Sequence, residues 1–157
     1  MDKLSPERRS ANMARIRSQN TNPELTLRKL IHCLGYRFRL HRNDLPGRPD
    51  LVFPSRKKVI FVHGCFWHQH TECREGRVPG SRLEYWGPKL RRNQERDALA
   101  QSRLKEQGWR YLVVWECELR DEGAASRRVT QFLGPVAHSA DRTGNRTACE
   151  AYGSILC

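Results

Sequence analysis

The densest chemistry in this chain of 157 residues is the segment His63-Gly-Cys65-Phe66-Trp67-His68-Gln-His70-Thr-Glu-Cys73. Cys65, His70 and Cys73, completed by the distant Cys117, offer the sulfur and nitrogen donors that a tetrahedral structural zinc prefers. A set of free thiols is the competing reading of the same residues. His63 and His68 fall outside that set. Imidazole near neutral pH suits a base, an acid or a phosphate contact, and the plain alternative is a pair of exposed loop histidines. Phe66 and Trp67 stand side by side between a zinc candidate and a catalytic candidate. Two adjacent loop aromatics either plug a core or wedge into a base stack, and the basic charge of the chain favours the wedge.

Carboxylates supply a second set. Asp50 follows Pro49 and opens a strand, a second strand comes soon after it, and an acid, Glu24, stands on a preceding helix. Metal-dependent nucleases cluster carboxylates in this way to hold magnesium against a scissile phosphate. Their second strand commonly offers an acid and a lysine, whereas this one offers Phe61-Val62-His63, and Pro-Asp alone is too common a pair to decide the matter. Farther along, Leu90, Asn93, Asp97, Ala100 and Leu104 recur at helical spacing, so Asn93 and Asp97 interrupt an apolar stripe, with Lys89 on the same side. An unpaired buried carboxylate is costly, so Asp97 needs a partner. His68 is a suitable one, because a carboxylate bonded to imidazole orients the ring and raises its basicity.

These groups need a scaffold, and turn and periodicity signals outline one. Asn22-Pro23-Glu24 provides an N-cap, a proline at the first helical position and an acid in the first turn; Leu27, Leu30, Ile31 and Leu34 follow at helical spacing up to Gly35, giving a helix over about 23–34. Tyr36 to Leu40 alternates apolar with basic residues as a half-buried strand would. After the turn Leu45-Pro-Gly-Arg-Pro49, Asp50–Phe53 and Lys58–Val62 form paired strands joined around Pro54-Ser55. A second helix starts near Gly87-Pro88, passes Arg103 and stops at Gly108, before the apolar strand Trp109–Trp115. A weak helix around 121–133 ends at Gly134-Pro135, and the remainder has the composition of a poorly ordered tail. Such an order of elements makes a mixed α/β sheet flanked by helices.

Charge bears on the partner. Lys and Arg number 29 against 17 Asp and Glu, a formal net charge of +12, and all of the excess precedes residue 118. A polyanion such as nucleic acid suits that surface, because Lys and Arg release counterions condensed on phosphates; solvated surface charge is the bland alternative. No apolar run approaches the roughly 18 residues a spanning helix needs. The polar first twenty residues lack a signal-peptide core, so a reducing cytoplasmic compartment is expected, where the six cysteines bind metal or simply pack.

Five ordered blocks carry a further likeness: Arg9-Ser-Ala-Asn-Met13, Pro46-Gly-Arg-Pro-Asp50, Val62-His-Gly-Cys-Phe-Trp-His68, Asn93-Gln-Glu-Arg-Asp97 and Gly108-Trp-Arg-Tyr-Leu-Val-Val-Trp-Glu-Cys117. Together, from about residue 8 to 119, they resemble the very-short-patch repair (Vsr) endonucleases. That resemblance implies a restriction-endonuclease-like mixed sheet with a structural zinc site. The implied enzyme is a bacterial magnesium-dependent DNA mismatch endonuclease, working with the nucleoid. It nicks one strand 5′ to the thymine of a T:G mismatch left by deamination of 5-methylcytosine.

Carried over, Asp50 is the central magnesium ligand, helped by the Val62 main-chain carbonyl. His68 is the general base oriented by Asp97, while His63 and Glu24 support the phosphate, metal or attacking water. Phe66 and Trp67, with Met13 from a basic arm over 1–20, wedge beside the mismatch, and Lys89 and Asn93 read the mismatched pair. Cys65, His70, Cys73 and Cys117 hold the zinc. The family usually places one residue between its zinc histidine and the next cysteine, where this chain has Thr71-Glu72; His70 keeps its distance from Cys65 and stays in the set. The implied organisation is the arm, a core over 21–119 and a C-terminal helix and tail over 120–157. The implied partners of a monomer are double-stranded DNA, general mismatch-repair proteins and a repair polymerase. Two rivals are a zinc-stapled DNA-binding module without cleavage and a restriction-type endonuclease that cuts both strands.

Overall fold

The computed structural model describes residues 19–40, 42–78, 80 and 83–136, and the expected arm and tail lie almost wholly outside them. Helix α1 (Asn22–Cys33) opens the described chain. Thr21 is its N-cap, one residue earlier than the sequence suggests. The reason is Glu24, whose carboxylate reaches back to accept the Asn20 N–H and the Thr21 hydroxyl, both at 2.9 Å, in a variant of the capping box. At the other end the Tyr36 N–H bonds the Ile31 carbonyl and the Gly35 N–H bonds that of His32, so Gly35, at φ 89°, closes the helix in a Schellman motif.

Strands β1 (Leu51–Phe53), β2 (Lys58–His63) and β3 (Arg110–Trp115) form one mixed sheet in the order β1-β2-β3. β1 runs antiparallel to β2, with Leu51 opposite Ile60. β3 runs parallel to β2, with His63 opposite Trp115. The crossover between the parallel pair contains α2 (Leu83–Glu106), and α3 (Glu122–Leu133) follows β3. The expected strand over Tyr36–Leu40 does not form. Only Arg39 bridges to Val52, because Tyr36 is buried and held by its hydroxyl to the Gly134 carbonyl at 2.6 Å, pinning the chain to the helices before it can run along the sheet.

Alternation along the strands sorts side chains between two cores. Leu51, Phe53, Ile60 and Val114 face α1 and α3, packing on Leu27, Ile31, Ala125, Val129 and Leu133. Val52, Val59 and Phe61 face α2, packing on Leu104 with Tyr111 and Val113 beside them. Two consequences follow for the site. His63 continues the α2 face of β2, and Trp115 continues that face of β3, both at the carboxyl ends of parallel strands where α/β sheets commonly bind ligands.

α2 begins four residues before the Gly87-Pro88 start read from sequence, and Pro88 sits inside the helix. Its first turns are held by aromatic packing described below. Leu90, Ala100 and Leu104 are buried and Asn93 and Asp97 half-buried, as the interrupted stripe requires. Among the described residues no helix is long and apolar enough to cross a membrane.

Candidate active site and metal centre

The turn before Asp50 is built around a close approach. Gly47 sits at φ 76°, and a Cβ there would lie 2.6 Å from the Ala100 Cβ of α2 and 3.2 Å from the Phe61 ring, so only glycine fits. Pro49 is fully buried behind it. Asp50 then emerges beside the end of β2, and its Oδ2 accepts the Val62 N–H at 2.7 Å. Burial drives the Asp50 carboxyl up to about 6; the Val62 hydrogen bond opposes this, and the negative charge of Glu24 adds to it. A raised carboxyl facing a second acid is a group that a cation would stabilise. Val62 therefore meets Asp50 through its N–H, whereas the family likeness assigns its carbonyl to metal.

Glu24 lies near enough for its charge to act on Asp50, but its carboxylate is engaged along α1, taking the Arg28 guanidinium at 3.0 Å besides Asn20 and Thr21. Arg28 also bonds the Asn20 side chain at 2.6 Å and leaves its buried Nε without a partner. Nothing in the sequence singled out Arg28, although a basic residue four after Glu24 on one helix is a recognisable pairing signal.

His63, His68 and Asp97 converge. The His63 and His68 rings stack at 3.8 Å with an interplanar angle of 14°. His68 Nδ1 is 2.5 Å from Asp97 Oδ2, which leaves Nε2 as the free ring nitrogen. The partnership expected from the helical stripe is thus realised. His63 is buried, and desolvation lowers it to about 4, with His68 adding and Asp97 opposing; it is neutral at physiological pH.

A second cluster lies on the other side of Trp115. The ligand atoms of Cys65, His70, Cys73 and Cys117 all fall within 4.8 Å of one another. His70 Nδ1 is 3.8 Å from Cys65 Sγ and 3.3 Å from Cys117 Sγ. A tetrahedron with Zn–S of about 2.3 Å and Zn–N of about 2.0 Å has edges of roughly 3.5–3.8 Å, so the donor set fits. Burial pushes the Cys65 thiol up to about 12 and raises Cys117 as well. At Cys73 burial works upward too, yet hydrogen bonds from the Cys65 thiol and the Gly76 and Glu75 N–H groups outweigh it and favour the thiolate.

Thr71 and Glu72 form a turn after His70, and Cys73 beyond it still reaches the cluster. A Cβ on Gly76 would lie 2.0 Å from the His70 carbonyl oxygen, a constraint on that turn with no sequence signal beyond the glycine itself.

Phe66 and Trp67 join Trp86 and Tyr85 of α2 in an edge-to-face cluster, with Phe66–Trp86 at 5.2 Å and Trp67–Trp86 at 6.0 Å. Lys89 caps it, its Nζ 5.3 Å from the Trp67 ring centre. Asn93 donates to the Trp67 carbonyl at 3.0 Å and accepts from Arg96. Lys89, Arg92, Asn93 and Arg96, together with Glu95 and Leu99, share one exposed side of the same helix. A helix starting at Gly87 leaves Trp86 out; extending the stripe back from Asp97, Asn93 and Lys89 leads to it. Met13 lies outside the described residues.

The profile described as "DNA mismatch endonuclease Vsr" matches residues 1–75. A protein named "Type II nicking enzyme V.XorIIP" from Xanthomonas oryzae pv. oryzae is 57% identical over 134 residues, covering 85% of this chain and 98% of that protein. "DNA mismatch endonuclease Vsr" of Escherichia coli is 48% identical over 112 residues, 71% of each chain. "Type II nicking enzyme V.NmeAIP" of Neisseria meningitidis is 36% identical over 135 residues, covering 86% of this chain and 96% of its own.

Proposed function

This chain belongs to the Vsr family of DNA mismatch endonucleases and nicking enzymes, and we propose that it nicks duplex DNA 5′ to the thymine of a T:G mismatch by magnesium-dependent hydrolysis. The observation that carries this reading is the stacked His63–His68 pair with Asp97 on His68 Nδ1, set at the strand ends near a raised Asp50 and beside the aromatic cluster. The mixed sheet with helices on both faces supports a restriction-endonuclease-like core, and α3 packs into that core, so it runs past residue 119.

His68 Nε2 accepts the proton of the attacking water, and Asp97 stabilises the imidazolium that results. His63 stays neutral beside it, offering a ring N–H to phosphate or water without adding charge. Asp50, with Val62 and Glu24 at hand, would hold magnesium, which when bound supplies charge stabilisation at the scissile phosphate and a more acidic water. Cys65, His70, Cys73 and Cys117 would hold a structural zinc that ties their loop to the end of β3.

Phe66 and Trp67, with Met13 from the arm, enter the stack where mispairing has lowered the energy of parting it. Lys89 and Asn93 lie next to that wedge, and base contacts from them would specify the pair, while Arg92 and Arg96 on the same helix would contact phosphate and position the protein. The test is a nicking assay on duplexes carrying each mismatch and on matched DNA, with and without magnesium. One-strand cleavage restricted to T:G and dependent on magnesium supports the proposal. Cleavage of both strands of matched DNA, or binding with no cleavage at any magnesium concentration, refutes it.

A further inference from the structure

We propose that Trp115 is a positioning residue that couples the Cys/His metal centre to the catalytic imidazoles, so that the placement of His63 and His68 depends on how His70 is held. The proposal rests on the zinc and catalytic roles assigned above. Trp115 ends β3 opposite His63. Its indole lies face to face with the His70 ring, centroids 4.3 Å apart and planes within 10°. It meets His63 edge-on at 5.3 Å and 77°. His63 in turn stacks on His68. Four rings thus stand in unbroken contact from the metal ligand to the base, ending at Asp97.

The backbone of Trp115 is tied down as well, its N–H donating to Glu118 Oε2 at 2.8 Å, two residues before the ligand Cys117. A closely packed row of flat rings has little slack, so a displacement at one end is passed along it. Edge-to-face contact also makes the His63 orientation sensitive to the indole's angle. The loop itself is a second route, because His68 and His70 are two residues apart. Substituting the indole separates the two routes.

The experiment uses full-length wild type, Trp115→Phe and Trp115→Leu, with zinc per chain measured, in single-turnover nicking of a T:G duplex. For Trp115→Leu the rate is expected to fall on the order of 10- to 100-fold, the scale of a small misplacement at a reacting centre, while duplex Kd stays within about twofold. Trp115→Phe, which keeps a flat ring, should recover most of that rate. A zinc-bearing Leu variant that nicks at the wild-type rate overturns the coupling. If the Leu variant loses zinc or fold, exchange of zinc for the larger cadmium ion in the wild type, read by histidine and Trp115 ring-proton NMR, takes its place, and a Trp115 indole that stays still while His63 and His68 move assigns the movement to the loop and overturns the proposal. Signals of His63 and His68 are expected to move with those of His70, and movement of His70 alone overturns the proposal. A wild type that holds no zinc or does not nick overturns the functional reading itself, and the coupling with it.

Discussion

The two faces of the sheet are made by the same alternating strands and serve different ends. The face beneath α1 and α3 is closed by apolar groups along its length, from Leu27 and Ile31 to Val129 and Leu133, all essentially inaccessible. The face beneath α2 is apolar only at one end, around Leu104, Val59 and Phe61. Toward the strand ends it turns polar, with His63, His68, Asp97 and Asn93 in place of aliphatic partners. Apart from Glu24 on α1, stability is concentrated on one side and the proposed chemistry on the other, so substitutions on the two sides should separate folding from turnover.

The largest effects are expected on the polar side. Asp50→Ala should remove nicking of a T:G duplex while leaving duplex binding largely intact in a gel-shift assay; full activity in that variant would sink the magnesium-ligand role. His68→Ala should lower the single-turnover rate by about 10²- to 10⁴-fold, the usual worth of a positioned base. On the apolar side, Leu27→Ala should cost about 2–5 kcal/mol of stability in urea melts and leave the rate per folded molecule unchanged. A matching loss of rate there would erase the division between the faces.

Asp50 offers a smaller and opposite effect. Its carboxyl stands near 3.8 when unfolded and at about 6 in the fold, so the folded state binds more protons across that interval. Stability is therefore full below the unfolded value, is lost as pH rises through the folded one, and stays lower above it. In magnesium-free buffer at pH 8, Asp50→Asn should thus be more stable than wild type by about 1–3 kcal/mol, with the gain vanishing toward pH 4. Equal melting at both pH values would argue against a carboxyl strained by burial. Smallest of all, Arg120→Ala breaks only an exposed ion pair to Glu75 and should leave the melting temperature where it is.

The polar side was the more legible from sequence, which follows from how its signals arise. Asn93 and Asp97 stood out because helical periodicity assigns residues to a face before any tertiary contact is known, and the His68 partnership followed from the need to pair a buried acid. Cys117 joined distant ligands because zinc chemistry demands a fourth donor. The strand over Tyr36–Leu40 failed because alternation cannot reveal that the Tyr36 hydroxyl is bound to Gly134, a contact across the fold. α2 starts before Gly87 because the stop signal of Gly-Pro is outweighed by Trp86 packing on Phe66 and Trp67, with Tyr85 against Trp86. The role of the 122–133 helix in the apolar core was only partly visible, since Ala125, Val129, Phe132 and Leu133 recur at helical spacing but do not say which element they meet until they pack on α1. Ring stacking around Trp115 has no sequence signature at all.

The missing side chain at Gly47 has a mechanical consequence. The turn that delivers Asp50 is seated directly on Ala100, one helical turn from Asp97 on the same rod. The acid proposed for magnesium and the acid proposed to aim the base are therefore gauged from a single surface, like two tools clamped to one bench. Enlarging either small residue at that seat would shift one carboxylate against the other without touching the chemistry of either. On that reading the alignment of the site is set by the place where two of its least reactive residues meet.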